Sequence, residues 1–165
     1  MFLAPLLHGS LEHIVSNSLP AFILGTALVY AYPMAARYVI PIVWIGAGLG
    51  VWLFGRESFH IGASGLNYGM MMFLCVIGAI RRDRRSVAVA FIVFFLYGSM
   101  IWGVFPGEPN VSFESHAAGA IIGIVLAVLM RGEDRRPPEK VYAYELEEAR
   151  EEYERIHGVP WSDDK

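Results

Sequence analysis

Five apolar runs, each bounded by charge, proline or glycine and each close to the length needed to cross a bilayer, restrict this chain to very few backbone structures. They cover roughly residues 14–31, 38–54, 61–80, 86–105 and 116–130. In hydrocarbon every N–H and C=O must be satisfied within the protein, so a spanning segment is either a helix or a strand of a closed barrel. A barrel strand alternates polar and apolar residues, and these runs do not. The expected fold class is therefore an all-α membrane protein, a polytopic helical bundle of about five transmembrane helices. Composition agrees: 55% of the residues are hydrophobic and only 18% charged, too apolar for an ordinary soluble domain. Several runs fall short of the about 20 residues of an upright span. Local thinning of the bilayer, or helices that begin below its surface, is the expected consequence.

Charge divides the chain in two. Nearly all of it lies in Arg81-Arg82-Asp83-Arg84-Arg85 and beyond Met130, so the net charge of -3 averages two environments and gives no ground for a nucleic-acid partner. Residues 1–130 read as a transmembrane core and 131–165 as a charged tail. Arg37, the Arg81–Arg85 cluster and Arg131, Arg135 and Arg136 fall on one side of a five-span topology, with only Arg56 opposite. Basic loops stay in the cytoplasm. The expectation is an integral protein of the cell (inner) membrane with its C-terminus cytoplasmic. After Pro137-Pro138, the segment 139–157 places Tyr142, Leu146, Ala149, Tyr153 and Ile156 at helical spacing, a short amphipathic surface helix with no expected chemistry. Met1 to His8 lack the basic start of a secretory signal. The single cysteine, Cys75, allows neither an internal disulfide nor a cysteine metal cage.

Ionisable and polar residues are costly in a bilayer and commonly mark a pathway or a reaction site. In the proposed topology His13, Asn17, Ser64 and His116 share one membrane face and a similar depth. His13 and Asn17 are spaced i, i+4, which stacks an imidazole and an amide on one helix face. Together they offer the N–H donors that could hold a developing oxyanion, or simply bond a neighbouring helix. In Gly62-Ala63-Ser64-Gly65-Leu66-Asn67-Tyr68-Gly69 the flanking glycines let a second helix or a peptide approach the Ser64 hydroxyl, with Tyr68 one turn along the same face. The same glycines also suit a plain packing face. In Ser115-His116-Ala117-Ala118-Gly119-Ala120-Ile121-Ile122-Gly123 the small residues Gly119 and Gly123 permit close helix contact, with His116 one turn earlier. If that face packs on the glycines around Ser64, the imidazole can take the serine proton during attack on a carbonyl.

The ordered combination of His8-Gly9-Ser10-Leu11-Glu12-His13-Ile14-Val15-Ser16-Asn17, Gly62-Ala63-Ser64-Gly65 and His116-Ala117-Ala118-Gly119-Ala120-Ile121-Ile122-Gly123 resembles the rhomboid intramembrane serine proteases. The resemblance covers about residues 5 to 130. It implies a peptidase without cofactor or metal that cuts membrane-anchored protein substrates in or near their transmembrane segment. Ser64 would be the nucleophile and His116 its base in a dyad without aspartate. His13, Asn17 and the Ser64 N–H would form the oxyanion hole, and Tyr68 would stack on His116. His8 would support the loop entering the first run, while Gly62, Gly65, Gly119 and Gly123 would allow close backbone approach. The usual rhomboid core has six spans with the Asn17 motif on the second; here seven residues precede His8, so a core lacking its first span is expected. Two other readings compete. One is a rhomboid-like protein that binds transmembrane clients without cutting them. The other is a metal site among His8, His13, His60 and His116 with Glu12 and Glu57, although no His-x-x-x-His or His-Glu-x-x-His spacing occurs.

Overall fold

The computed structural model describes residues 3–107, 111–135 and 143–161. Among the described residues, six α-helices and two 3-10 segments account for the regular structure and there are no strands. Arg136, the Pro137-Pro138 pair and residues 139–142 of the expected tail helix lie outside them.

Helix α1 (Leu11–Ala31) begins three residues before the apolar run because Ser10 caps it, its hydroxyl accepting the His13 N–H at 3.1 Å. Helix α2 (Pro33–Phe54) begins five residues earlier than hydrophobicity suggests. Pro33 looks like a loop residue but fits the first helical turn, where no intrahelical N–H is needed. Helix α3 (Ser64–Arg81) starts later than expected, since Gly62 takes a left-handed φ of 101° that helix cannot continue. The fourth run is composite. Helix α4 (Arg84–Tyr97), capped by Asp83, gives way at Gly98 to 3-10 turns over Gly98–Val104. Helix α5 (Phe113–Leu129) is capped by Ser112, and the acidic α6 (Ala143–His157) follows in the tail.

Among the described residues, four segments are long and apolar enough to cross a membrane: Leu11–Ala31, Pro33–Phe54, Ser64–Arg81 and Arg84–Val104. Helix α5 is equally apolar but has 17 residues, which at 1.5 Å each reach about 25 Å, short of a hydrocarbon core of about 30 Å. It is the short member of a polytopic bundle.

Helix α3 is the axis of that bundle and is buried along most of its length, whereas α4 turns most of its surface outward. In lipid, burying an apolar side chain removes no water, so close packing has to hold helices together. Small residues supply it. The Gly119 and Gly123 Cα atoms rest against the carbonyls of Gly65 and Gly69, leaving no space for a Cβ between α3 and α5. Phe73, Leu74 and Ile77 fill the centre with Leu24, Leu28 and Val39.

A polar clamp closes the end where α3 finishes. The Asp134 carboxylate, buried just beyond α5, accepts the Met34 and Ala35 N–H groups at 2.8 and 3.0 Å and so caps α2. Arg81, buried under the Tyr32 ring, donates to the Asp134 carbonyl at 2.9 Å and pairs with Asp83. Arg85 donates to the Tyr30 carbonyl. The basic cluster at residues 81–85 thus ties four helices together at the end of the bundle opposite Ser64.

Candidate active site

Ser64 is the first residue of α3, and Ala63 before it has no side chain to cap that terminus. The N–H groups of the first turn consequently remain available as donors, with the positive end of the helix behind them. His116 lies in the first turn of α5, itself packed on α3 through the glycine contacts. These constraints bring His116 Nε2 to 2.8 Å from Ser64 Oγ.

The second imidazole nitrogen decides the proton's place. His116 Nδ1 sits 2.8 Å from the Gly103 carbonyl. A carbonyl only accepts, so Nδ1 carries the hydrogen and Nε2 presents its lone pair to the serine hydroxyl. Gly103 therefore orients the ring as a carboxylate does in a three-membered triad. The Tyr68 ring lies flat on the imidazole, 4.1 Å away and inclined by 7°. A Cβ on Gly103 would collide with the Tyr68 hydroxyl, so the 3-10 segment can approach only because that residue is glycine.

Across Gly62 from the dyad are the two α1 residues. A Cβ built on Gly62 would lie 2.6 Å from His13 Nε2 and 3.6 Å from Asn17 Nδ2, so both side chains converge on the backbone leading into Ser64. The Gly9 N–H points at His13 Nδ1 at 3.5 Å, which leaves the hydrogen on Nε2, the nitrogen facing Gly62. Asn17 is buried, and its amide donates one N–H to the His13 carbonyl at 2.9 Å. His8 packs edge-on against His13 with centroids 5.1 Å apart. A cavity of about 450 Å³ joins these groups, walled by His13, Asn17, Ser64 and His116 together with Tyr97 and Met100.

The structure thus gathers Ser64, His116, Tyr68, His13, Asn17 and Gly62 around one point, with His8 behind His13 and Gly65 of α3 facing Ser115 of α5. Gly119 and Gly123 lie further along the α3–α5 seam. His60 is elsewhere, bonded to Ser112 and to the Arg56 carbonyl. Among the described residues no three His, Cys, Asp or Glu side chains converge as a metal site would require. Two participants carried no expectation. The Gly103 carbonyl is backbone and leaves no mark in the sequence. Asn67, almost fully buried, donates to the Asn17 carbonyl at 3.0 Å and locks α1 to α3; an amide in an apolar run was the available signal.

Residues 1–133 match the family model for the Rhomboid domain. The chain is 35% identical over 142 residues to uncharacterized proteins of Mycobacterium tuberculosis and Mycobacterium bovis, matches that cover 81% of this chain and 59% of each relative. An uncharacterized protein of Mycobacterium leprae is 37% identical over 142 residues, covering 81% of this chain and 56% of the relative. The chain therefore spans less than two thirds of the length of these relatives. No solved structure matches it.

Proposed function

We propose that this chain, which belongs to the rhomboid family, is an intramembrane serine endopeptidase that cleaves membrane-anchored proteins in or near a transmembrane segment. The observation that carries the reading is the 2.8 Å contact between His116 Nε2 and Ser64 Oγ, with the ring's other nitrogen committed to Gly103.

Ser64 Oγ attacks the scissile carbonyl carbon while its proton passes to His116 Nε2. The carbonyl oxygen becomes an oxyanion, and the donors positioned for it are His13 Nε2–H, the remaining Asn17 N–H and the backbone N–H of Ser64. Collapse of the tetrahedral species breaks the C–N bond, and the imidazolium gives its proton to the departing amine. A water molecule then attacks the acyl-serine, with its proton taken by His116, and releases the carboxylic acid and free Ser64. The cavity of about 450 Å³, where His13, Ser16, Asn17 and Ser64 add polar groups to a largely apolar wall, is where that water would be held. A helical substrate carbonyl is hydrogen-bonded and shielded, so the peptide must unwind locally before attack. Small residues near the cut site ease that unwinding.

In this reading the positive-inside rule would set the Arg81–Arg85 end and the tail in the cytoplasm and the Ser64–His116 pair toward the opposite surface. Cleavage of a fluorescent transmembrane reporter in proteoliposomes tests the reading. Product from wild type and none from Ser64→Ala or His116→Ala is expected. Equal cleavage by Ser64→Ala would refute the mechanism, and capture of the reporter without product from wild type would favour the client-binding alternative.

A further inference from the structure

The contact between Ser64 and His116 has a parallel one helical turn away. His60 Nδ1 meets Ser112 Oγ at 2.6 Å, and both pairs are separated by the same 52 residues. His60 precedes Ser64 by four positions and Ser112 precedes His116 by four, so the two contacts form successive rungs between the same two strands of chain.

The chemistry of the second rung is fixed by its surroundings. His60 Nε2 faces the Arg56 carbonyl at 2.9 Å and must carry the hydrogen there, so Nδ1 accepts from the Ser112 hydroxyl. The oxygen of that hydroxyl in turn accepts the Ser115 N–H, which caps α5 immediately before His116. Arg56 grips the same segment. Its Nε pairs with Glu114 at 3.3 Å, Nη2 donates to the Val111 carbonyl at 2.6 Å, and its guanidinium lies over the Phe113 ring. Every residue from 111 to 114 is thereby held by the loop that runs from α2 to Ser64. That loop ends in Gly62 and Ser64, so one piece of backbone both presents the nucleophile and fixes the entrance of the helix that bears the base.

We infer that His60, through Ser112 and supported by Arg56, is a positioning residue that sets His116 against Ser64. The glycine seam sets how closely α5 approaches α3, but its contacts lie at Gly119 and Gly123, one and two turns beyond His116, and none of them touches the imidazole or the first turn that carries it. The second rung holds that first turn directly, at the end of the seam where proton transfer takes place. This inference rests on the peptidase reading only for its kinetic consequence; the geometry it predicts at His116 does not depend on catalysis.

The test uses the full chain in detergent. A fluorophosphonate probe gives a maximal labelling rate and a half-saturating concentration for wild type, His60→Phe and His60→Asn. Phenylalanine keeps a flat aromatic ring, somewhat larger than imidazole, without either hydrogen bond, whereas asparagine places an amide where Nδ1 was. His60→Phe is expected to lower the maximal rate about tenfold or more with half-saturation unchanged, and His60→Asn to recover most of it. In protein carrying ¹⁵N-labelled histidine, neutral His116 should show the Nδ1-protonated tautomer in wild type and a mixture of tautomers in His60→Phe. A His60→Phe protein with the wild-type rate, or with the wild-type His116 spectrum, overturns the inference. Folded wild type that never labels would refute the peptidase reading, and the tautomer comparison would still decide the role of His60.

Discussion

Gly103→Ala isolates the backbone contact that holds the His116 ring. A methyl group there would overlap the Tyr68 hydroxyl and lie 3.1 Å from Tyr68 Cζ and 3.3 Å from His116 Nδ1. Either the 3-10 segment Gly98–Val104 backs away or the phenol moves, and the phenol is stacked on the imidazole at 4.1 Å. The first response breaks the 2.8 Å bond to Nδ1, a loss of about 1 kcal/mol that also frees the tautomer. The second displaces the ring itself. Overpacking of this kind costs about 1–3 kcal/mol in stability, and misplacing a catalytic group by about 1 Å can cost 10² in rate. The expected result is labelling by a fluorophosphonate slowed about 10- to 100-fold in protein that still melts cooperatively. Adding Tyr68→Phe removes the overlapping oxygen and keeps the stack, leaving a closest aromatic contact of 3.1 Å that a small adjustment relieves. The double variant should recover most of the rate. Wild-type labelling by Gly103→Ala, or a double variant no faster than the single one, would refute the reasoning.

At the opposite end, Asp134→Ala removes a charged acceptor from two N–H groups of α2; equilibrium unfolding in mixed detergent should show a loss of about 2–3 kcal/mol, with Asp134→Asn losing about half as much. Asn17→Ala should slow reporter cleavage about 10²- to 10³-fold, the effect of deleting an oxyanion donor, and a change below threefold would remove Asn17 from that role. Gly123→Val should destabilise the α3–α5 seam because the Gly69 carbonyl occupies the space; a melting temperature equal to wild type would contradict the packing. Asp83 has a pH signature. Burial works to raise its pKa, but hydrogen bonds from the Ser86 N–H and hydroxyl and from Arg81 outweigh it and hold the carboxyl below its ordinary value. A group depressed in the folded state stabilises above its unfolded pKa and loses that contribution as pH falls through the folded value. Acid unfolding should accordingly begin at higher pH in Ser86→Ala than in wild type.

Much of this arrangement was legible in the residues. Apolar runs gave the helices, and the spacing of His13 with Asn17 and of His116 with Gly119 put each group on a definable face. Run boundaries misled at Pro33 and at Ile61, where capping chemistry and a left-handed glycine decide the helix start rather than hydrophobicity. The change to 3-10 turns after Tyr97 is masked by an apolar run that continues to Phe105, with Gly98 and Ser99 as its only sign in the sequence. It also delivers the Gly103 carbonyl to His116, and a backbone acceptor has no residue type to betray it. His60 shows the converse: the histidine is visible in the sequence, but its four-residue offset from Ser64 has meaning only beside the equal offset of Ser112 from His116. Asp134 belongs by composition to the charged tail, and its burial depends on α5 ending beside the start of α2.

If Ser64 is a nucleophile activated by His116, as proposed, a fluorophosphonate should leave an adduct of defined mass and position on the purified, folded chain. One adduct per chain, mapped to Ser64 and absent from His116→Ala, is the predicted result. An adduct that persists in Ser64→Ala, or folded wild type that takes up none, would contradict it.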